Sequence, residues 1–401
     1  MRKVRFRFPG VCLTALMISA AQARGEAPDF SAWLRAGDRY AERGLDHGAA
    51  LSTGDYLTSL EGEISLKRRD EKGVRWRLRY HPYLAGYTRD LQQREFDHFL
   101  DGSGTWIVSP RTSFSAGDRF YRVDQQIGLV DPTTQDTAGV LLKTTTQTSN
   151  TLSLSSSLRS TERSRLTVGS RYLVTRLSDE TLTDVDTYSG SFDWDFQKSL
   201  RTDFGLGYEY ARLNFSTTTP ADTQQLDAGW SWSVTPNQKW SLSAGASQVD
   251  QDRTRTTEPI GEWEVEYAPA EGRVYWMARV SHSVRGLVGV AGPVSDTRGT
   301  TSFRAQCSDR LRCGFDLTYG RTDPILDTAL GLVHHRRATL RLDYAWTPRF
   351  FGTFAVTRHD QRSPEVLFSG RRVNYYYVGL GYQLWPRQGN PAGVPEGDFI
   401  R

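Results

Sequence analysis

The residues whose type and spacing most strongly imply chemistry form two charged ladders. Arg75, Arg77 and Arg79 alternate with Val74, Trp76, Leu78 and Tyr80. Glu262, Glu264 and Glu266 alternate with Trp263, Val265 and Tyr267. Successive side chains of an extended chain point to opposite faces, so each ladder sets three like charges on one face and apolar rings on the other. Three like charges in a row must face water. Arg171, Asp193, Asp195, Glu209, Arg279, Arg304 and Arg341 take the polar parity of other alternating stretches, and Tyr275, Tyr375 and Tyr377 add rings on the same side. Opposed basic and acidic walls orient charged or polar groups, and the rings offer stacking faces for sugars. The plainer reading is that the ladders pair with their neighbours and keep the wall rigid and wet.

Bond-making chemistry is not indicated. His334 and His335 stand beside Arg336 and Arg337 with no carboxylate at ligand spacing, and are expected at an exposed rim. His98 follows Asp97 and His359 precedes Asp360, so each pair splits across two strand faces, poor geometry for proton transfer. No nucleophile elbow, phosphate loop or calcium loop occurs. The chain reads as a non-enzyme that needs no cofactor and no metal.

The elements that must position these residues are long strands. Tight turns rich in Pro, Gly or charge recur around Arg69–Gly73, Ser109–Arg111, Ser160–Arg163, Ser199–Arg201, Thr235–Asn237, Pro269–Gly272, Ser308–Leu311 and Thr347–Arg349. Most are spaced by about 34 to 39 residues, the period of a repeated hairpin. Strands of about 10 to 15 residues between the turns exceed those of ordinary sheets and suit tilted membrane strands. Trp232, Trp240 and Trp346 lie close to tight turns, where an interfacial aromatic girdle sits. At the other end the connections vary in length. The longest runs from Val123 to Thr145. Gly286–Asp296 and Pro324–Val333 are apolar, suited to folding into a mouth or to packing on each other at the rim.

Composition agrees. The chain of 401 residues is 38% hydrophobic, with 18 Tyr, 11 Trp and 36 Gly, and its mean hydropathy of -0.54 excludes helical spans. A net charge of +4, with Arg scattered among Asp and Glu, does not describe a nucleic-acid binder. Residues 1–23 read as a secretory signal: a basic start, an apolar run from Val11 to Ala20, and the cleavage site Ala21-Gln22-Ala23. Cys12 leaves with the signal. Cys307 and Cys313 lie symmetrically about Arg310; across a hairpin turn in an oxidising compartment they can form a disulfide, or serve as small apolar residues at the membrane edge.

The reading is all-β: a transmembrane antiparallel up-and-down β-barrel of about eighteen strands, with sixteen as the alternative. Sixteen strands fit between Gly73 and Trp385, Thr53–Arg68 supplies another, and even numbering requires one more around Ala32–Gly44, where alternation is poor. Residues 24–31 then form a periplasmic segment, 32–385 the barrel and 386–401 a polar tail.

Two resemblances carry further expectations. Tyr377, Gly379, Tyr382 and Leu384 resemble the C-terminal signal read by the barrel-assembly machinery, although a polar tail follows here. Leu-Arg-Tyr-His-Pro-Tyr at Leu78–Tyr83, the stretch from Ser109 to Arg122, the SPR- and TPR-like turns and Gly205–Tyr210 (GLGYEY) resemble outer-membrane β-barrel porins encoded beside exopolysaccharide gene clusters, Wzx/Wzy-type or exosortase-linked. The resemblance covers most of the mature chain and rests on pattern. It implies an integral protein of the Gram-negative outer membrane that exports a polysaccharide, with outer-membrane lipid, lipopolysaccharide and periplasmic export proteins as partners. The alternative is a general diffusion porin for small polar solutes; the Val123–Thr145 loop has the length of a constriction loop but few acids. A surface protein whose barrel only anchors loops, and a soluble β-sandwich, fit the loop and strand lengths less well.

Overall fold

The computed structural model describes residues 29–45, 55–69, 74–87, 94–125, 145–180, 182–269, 272–286, 292–325, 332–362 and 371–385. The expected signal peptide and polar tail, most of the 24–31 segment and most of the Val123–Thr145 loop lie outside these. The strands are β1 (Asp29–Leu45), β2 (Asp55–Arg69), β3 (Val74–Tyr87), β4 (Arg94–Ser109), β5 (Thr112–Gln125), β6 (Thr145–Arg159), β7 (Ser164–Leu177), β8 (Val185–Ser199), β9 (Thr202–Phe215), β10 (Ala221–Thr235), β11 (Gln238–Gln251), β12 (Thr254–Tyr267), β13 (Val274–Gly286), β14 (Pro293–Gln306), β15 (Leu311–Pro324), β16 (Val333–Ala345), β17 (Phe350–Arg362) and β18 (Arg371–Trp385). Each pairs antiparallel with its neighbours in sequence, and β1 pairs with β18, closing one 18-stranded barrel. The first strand begins at Asp29, ahead of the expected boundary at Ala32.

The chain is a barrel because its strands alternate, β1 and the start of β14 least regularly. Leu226, Trp230 and Trp232 on β10 face outward, as do Phe204, Leu206, Tyr208 and Tyr210 on β9 and Tyr376, Val378, Leu380 and Tyr382 on β18, each with more than a third of its surface exposed. Their in-between neighbours face the lumen. Closure covers the sheet edges that an open sheet of this length would expose, apart from the stretch of β12 before Gly261.

Several tight turns at one end share a device. A hydroxyl at the start of the turn accepts backbone N–H groups inside it: Ser109 Oγ from Arg111 (3.2 Å) and Thr112 (3.0 Å), Ser308 Oγ from Arg310 (3.2 Å) and Leu311 (3.0 Å), and Thr347 Oγ1 from Arg349 (3.2 Å) and Phe350 (2.9 Å). This is the physical content of the recurring Ser/Thr-x-Arg phrasing: a side-chain oxygen substitutes for a ladder acceptor where the chain reverses. The other end has longer connections, but also one tight turn, Asp252–Arg253, where both residues have positive φ (51° and 66°), as a type I′ hairpin requires. Barrels of this build turn short connections to the periplasm and longer loops outward. With a continuous outward apolar belt, the chain is an integral outer-membrane protein.

Candidate functional site: a lumen with unlike walls

The ring order gives the site its geometry. From β3 to β12 is nine steps in either direction around 18 strands, so the two ladders stand across the lumen from each other. Arg75, Arg77 and Arg79 climb from the tight-turn end of β3; Glu266, Glu264 and Glu262 climb from the tight-turn end of β12. They therefore occupy the same levels. On the basic side Lys67 pairs in register with Arg77, and Arg79 lies opposite Asp101, which accepts from Arg119 at 3.4 Å. On the acidic side Asp193 and Asp195 (β8), Glu209 (β9) and Asp227 (β10) share the inward parity. A Cβ built on Gly207 would lie 2.8 Å from an oxygen of Asp227 and 3.4 Å from one of Asp193, so two carboxylates flank one glycine. Arg279 pairs with Glu262, whereas Glu264 and Glu266 make no ion pair among the described residues. Arg171 and Tyr275 also point inward, and Arg304 does so while paired to Asp316 at 2.8 Å.

The sector around the closing strands is built differently. Arg35 of β1 pairs with Glu61 of β2, and its other guanidinium nitrogen donates to Thr353 Oγ1 of β17 at 3.1 Å. Thr353 donates in turn to Asp343 at 2.6 Å, and Arg341 holds the other oxygen of Asp343 at 2.7 Å. Tyr377 Oη donates to Glu61 at 3.3 Å, and His81 Nε2 lies 3.4 Å from it. Arg35 is 5% exposed and stacks over the rings of Trp33 and Tyr377 at 5.5 and 5.3 Å. Arg39 stacks likewise on Tyr83 and Tyr375, at 5.8 and 5.6 Å. The charges here are desolvated but paired, the condition under which burial is tolerated. Arg341, Tyr375 and Tyr377, expected to line an open lumen, belong to this packed network. The sequence reading missed Arg35 and Glu61. Their signal was parity: Trp33, Arg35, Gly37 and Arg39 share the inward face of β1, and Trp33, an apolar ring among them, spoils the alternation.

The C-terminal signature divides between the faces. Tyr382 and Leu384 face outward, whereas Tyr377 and Gly379 face inward. The Tyr377 ring lies over Gly379 and over Gly37 across the seam, so a Cβ at either position collides with it. Part of the signature thus has a packing reason.

At the long-loop end the wall itself departs from the pattern. β12 pairs with β13 only from Gly261 opposite His282 down to Tyr267 opposite Trp276, whereas β13 stays paired with β14 up to Gly286 opposite Pro293. Pairing with β12 stops next to Pro259, which has no N–H to donate, and beside Gly261. Above that level β13 leaves the wall and enters the lumen. Gln225 of β10 donates to the carbonyl of Val284 at 3.2 Å, and a Cβ on Gly286 would lie 3.4 Å from Val185 and 3.5 Å from Leu213. Gly292 to Asp296 are buried on both faces, as a segment inside the mouth must be. Gly292, at φ 133°, makes the bend into β14. The inner wall that receives it is apolar: Leu173, Val185, Leu213, Phe215 and Val249 all face inward there and are buried. Asp296 fastens the segment by accepting from Arg285 (2.9 Å) and Thr322 (2.8 Å). Of the two arrangements open to Gly286–Asp296, its described residues fold into the mouth.

The histidines need one correction. His334 faces outward, but His335 is 2% exposed on the lumen side, where its ring fills the space above Gly320. A glycine opposite makes room for a buried ring that the sequence had suggested for the rim. Cys307 and Cys313 are thiols at the tight-turn end of β15, with their Sγ atoms 2.7 Å apart.

No family model matches the chain, and no curated protein matches it in sequence. Solved structures resemble it in shape. OccK2 (OpdF) of Pseudomonas aeruginosa, solved in complex with glucuronate, aligns at TM-score 0.48 and 11% identity, over 90% of this chain and 100% of that one. The ferric enterobactin receptor PfeA of the same organism aligns at 0.47 and 9%, covering 90% and 81%. OccAB4 of Acinetobacter baumannii aligns at 0.44 and 10%, covering 90% and 98%.

Proposed function

We propose that the chain is a passive outer-membrane channel for small polar and charged solutes. The observation that carries this reading is the pair of unlike walls at matched levels, β3 basic and β12 acidic, below a mouth narrowed by β13–β14. In salt the field of each wall fades within about 8 Å, so each acts on solutes passing close to it. A solute with charges of both signs is oriented between them. An inward-folded segment favours short solutes over a polymer, which needs clear width along its whole path.

The second reading, export of a secreted polysaccharide with periplasmic export proteins behind it, is favoured by the likeness to porins of exopolysaccharide clusters. It is weakened by the tyrosines meant to stack on sugars: Tyr375 and Tyr377 are engaged by Arg39 and Arg35, leaving Tyr275. Insertion by the barrel-assembly machinery belongs to either reading.

The experiment is a deletion strain with its complemented control, read for surface polysaccharide and for uptake of small charged nutrients, alongside conductance of the purified protein in planar bilayers. Steady conductance and an uptake defect with unchanged polymer support the channel. Lost surface polymer with unchanged small-solute permeability transfers the case to export.

A further inference from the structure

The outward face of β15–β17 changes character towards the long-loop end. Phe315, Leu340, Val356 and Tyr376 form one apolar row across four strands. Two residues further up each strand the row is Leu317, Ala338, Arg358 and Asn374. The next holds Tyr319, Arg336 and Asp360, and the last Arg321, His334 and Arg362. Each step rises about 6.7 Å along the strand, so basic side chains begin directly above the apolar belt. A cavity of about 150 Å³ opens among Tyr319, His334, Arg336, Asp360 and Arg362. The Arg336 guanidinium lies over the Tyr319 ring at 5.6 Å, and Tyr319 Oη lies 3.3 Å from His334 Nδ1. Arg321 is held by Asp323 at 2.8 Å. Among the described residues, Arg336, Arg358 and Arg362 thus share the outward face with one further carboxylate, Asp360.

The same level on β7–β10 is balanced. Arg176 is bidentate to Asp186 and 3.7 Å from Asp184, and Arg212 stands in register with Asp222. The described outward rim of β15–β17 is therefore more positive than that of β7–β10.

We propose that this patch binds the phosphorylated sugar headgroup of the outer-leaflet lipopolysaccharide, with its acyl chains along Phe315, Leu317, Leu340 and Val356. Three features select this occupant: the face is turned to lipid, it lies at the level of the outer leaflet, and its guanidinium groups are suited to bidentate phosphate binding. A free anion accounts for the charge but not for an apolar row immediately beneath it.

The test uses the folded full-length barrel in detergent, with bound glycolipid counted by native mass spectrometry. Lipopolysaccharide reduced to its phosphorylated lipid core is the probe, its dephosphorylated counterpart and inorganic phosphate the comparisons. We expect the phosphorylated glycolipid to bind wild type and to bind Arg336→Ser/Arg358→Ser/Arg362→Ser at least roughly tenfold more weakly. Arg212→Ser should bind as wild type does, and triple replacement by Lys should fall between. Equal binding by the Ser triple variant, equal binding of the dephosphorylated glycolipid, or displacement by millimolar phosphate alone would each overturn the proposal. The heat-dependent gel shift of folded barrels verifies folding; if the triple variant does not fold, Arg362→Asp alone serves, with the same expected loss.

Discussion

The two halves of the wall meet the same lipid outside and behave differently inside. From β16 through the seam to β2 the inward residues are large and paired: Trp33, Arg35, Glu61, Tyr377, Arg341 and Phe351 are all buried. From β6 to β11 the inward residues include Ser153, Ser155, Gly169, Ser189, Ser191, Gly205, Gly207, Gly229, Ser241 and Gly245, small enough to leave the acidic groups among them in water. The outward belt is uniform because lipid is uniform. The inner wall is not, because one sector must join the chain's first and last strands while the other borders the path.

The largest effect should come from breaking the seam. Glu61→Ala leaves Arg35 buried and unpaired, and removing one partner of a buried pair costs about 3–5 kcal/mol. Arg279→Ala, which breaks a half-exposed pair on the acidic wall, should cost about 1 kcal/mol or less. Urea midpoints of the refolded barrels compare the two, and equal losses would sink the contrast between walls.

The cysteines give a control placed on neither wall. An exported thiol-oxidising protein that carries a disulfide can accept the two electrons and two protons of Cys307 and Cys313 as their S–S bond forms. Intact-mass measurement of periplasmically expressed protein is then expected to show the loss of two hydrogens. Cys307→Ser should lower stability by about 2 kcal/mol, since the loop closed is short. It should add to the Glu61→Ala loss without coupling, because the sites share no partner.

Restoring the broken ladder is a smaller change. Pro259→Thr returns one N–H to the edge of β12, worth about 0.5–1.5 kcal/mol if β13 comes back to accept it. That competes with the apolar seat at Val185 and Leu213. Single-channel conductance should rise as the mouth clears, and amide exchange at Ser283 to Gly286 should change with it. Unchanged conductance together with unchanged exchange would mean that the seat, not the proline, holds the segment in.

Much of this was legible in the sequence because alternation is local. Strand number, the turns and the inward parity of the ladders follow from period two and from Ser/Thr-x-Arg punctuation. What parity does not carry is distance around the ring: that β3 faces β12 follows only from closure at eighteen. Nor does it say which inward groups are packed, since Tyr377 and Tyr275 look alike until Arg35 is seen beneath one of them. Pro259 and Gly261 were readable as a weak point in β12, but the consequence depends on apolar residues from four other strands. The rule that outward charges are excluded also has an exception. Asp118 shares the outward parity of Phe114 and Phe120, next to Gly102 and Leu152, where lipid exposure of a charge is costly.

The finest test of the two walls is ionic. Arg75→Glu, Arg77→Glu and Arg79→Glu together make both walls acidic, and Glu262→Gln, Glu264→Gln and Glu266→Gln leave the basic wall with less opposition. In a salt gradient across a planar bilayer, the reversal potential of the first variant should move towards cation selectivity and that of the second towards anions. Each shift should be roughly threefold in permeability ratio, because fixed charges lining a water-filled pore act through a screened field. A threefold change is about 0.7 kcal/mol, well below the seam and disulfide effects above. It is also the most specific, since raising the salt should shrink it in both variants while leaving the seam energies nearly unchanged. Shifts of the same sign in the two variants would show that ions do not sample both walls, and the opposition of β3 and β12 would then be geometry without consequence for transport.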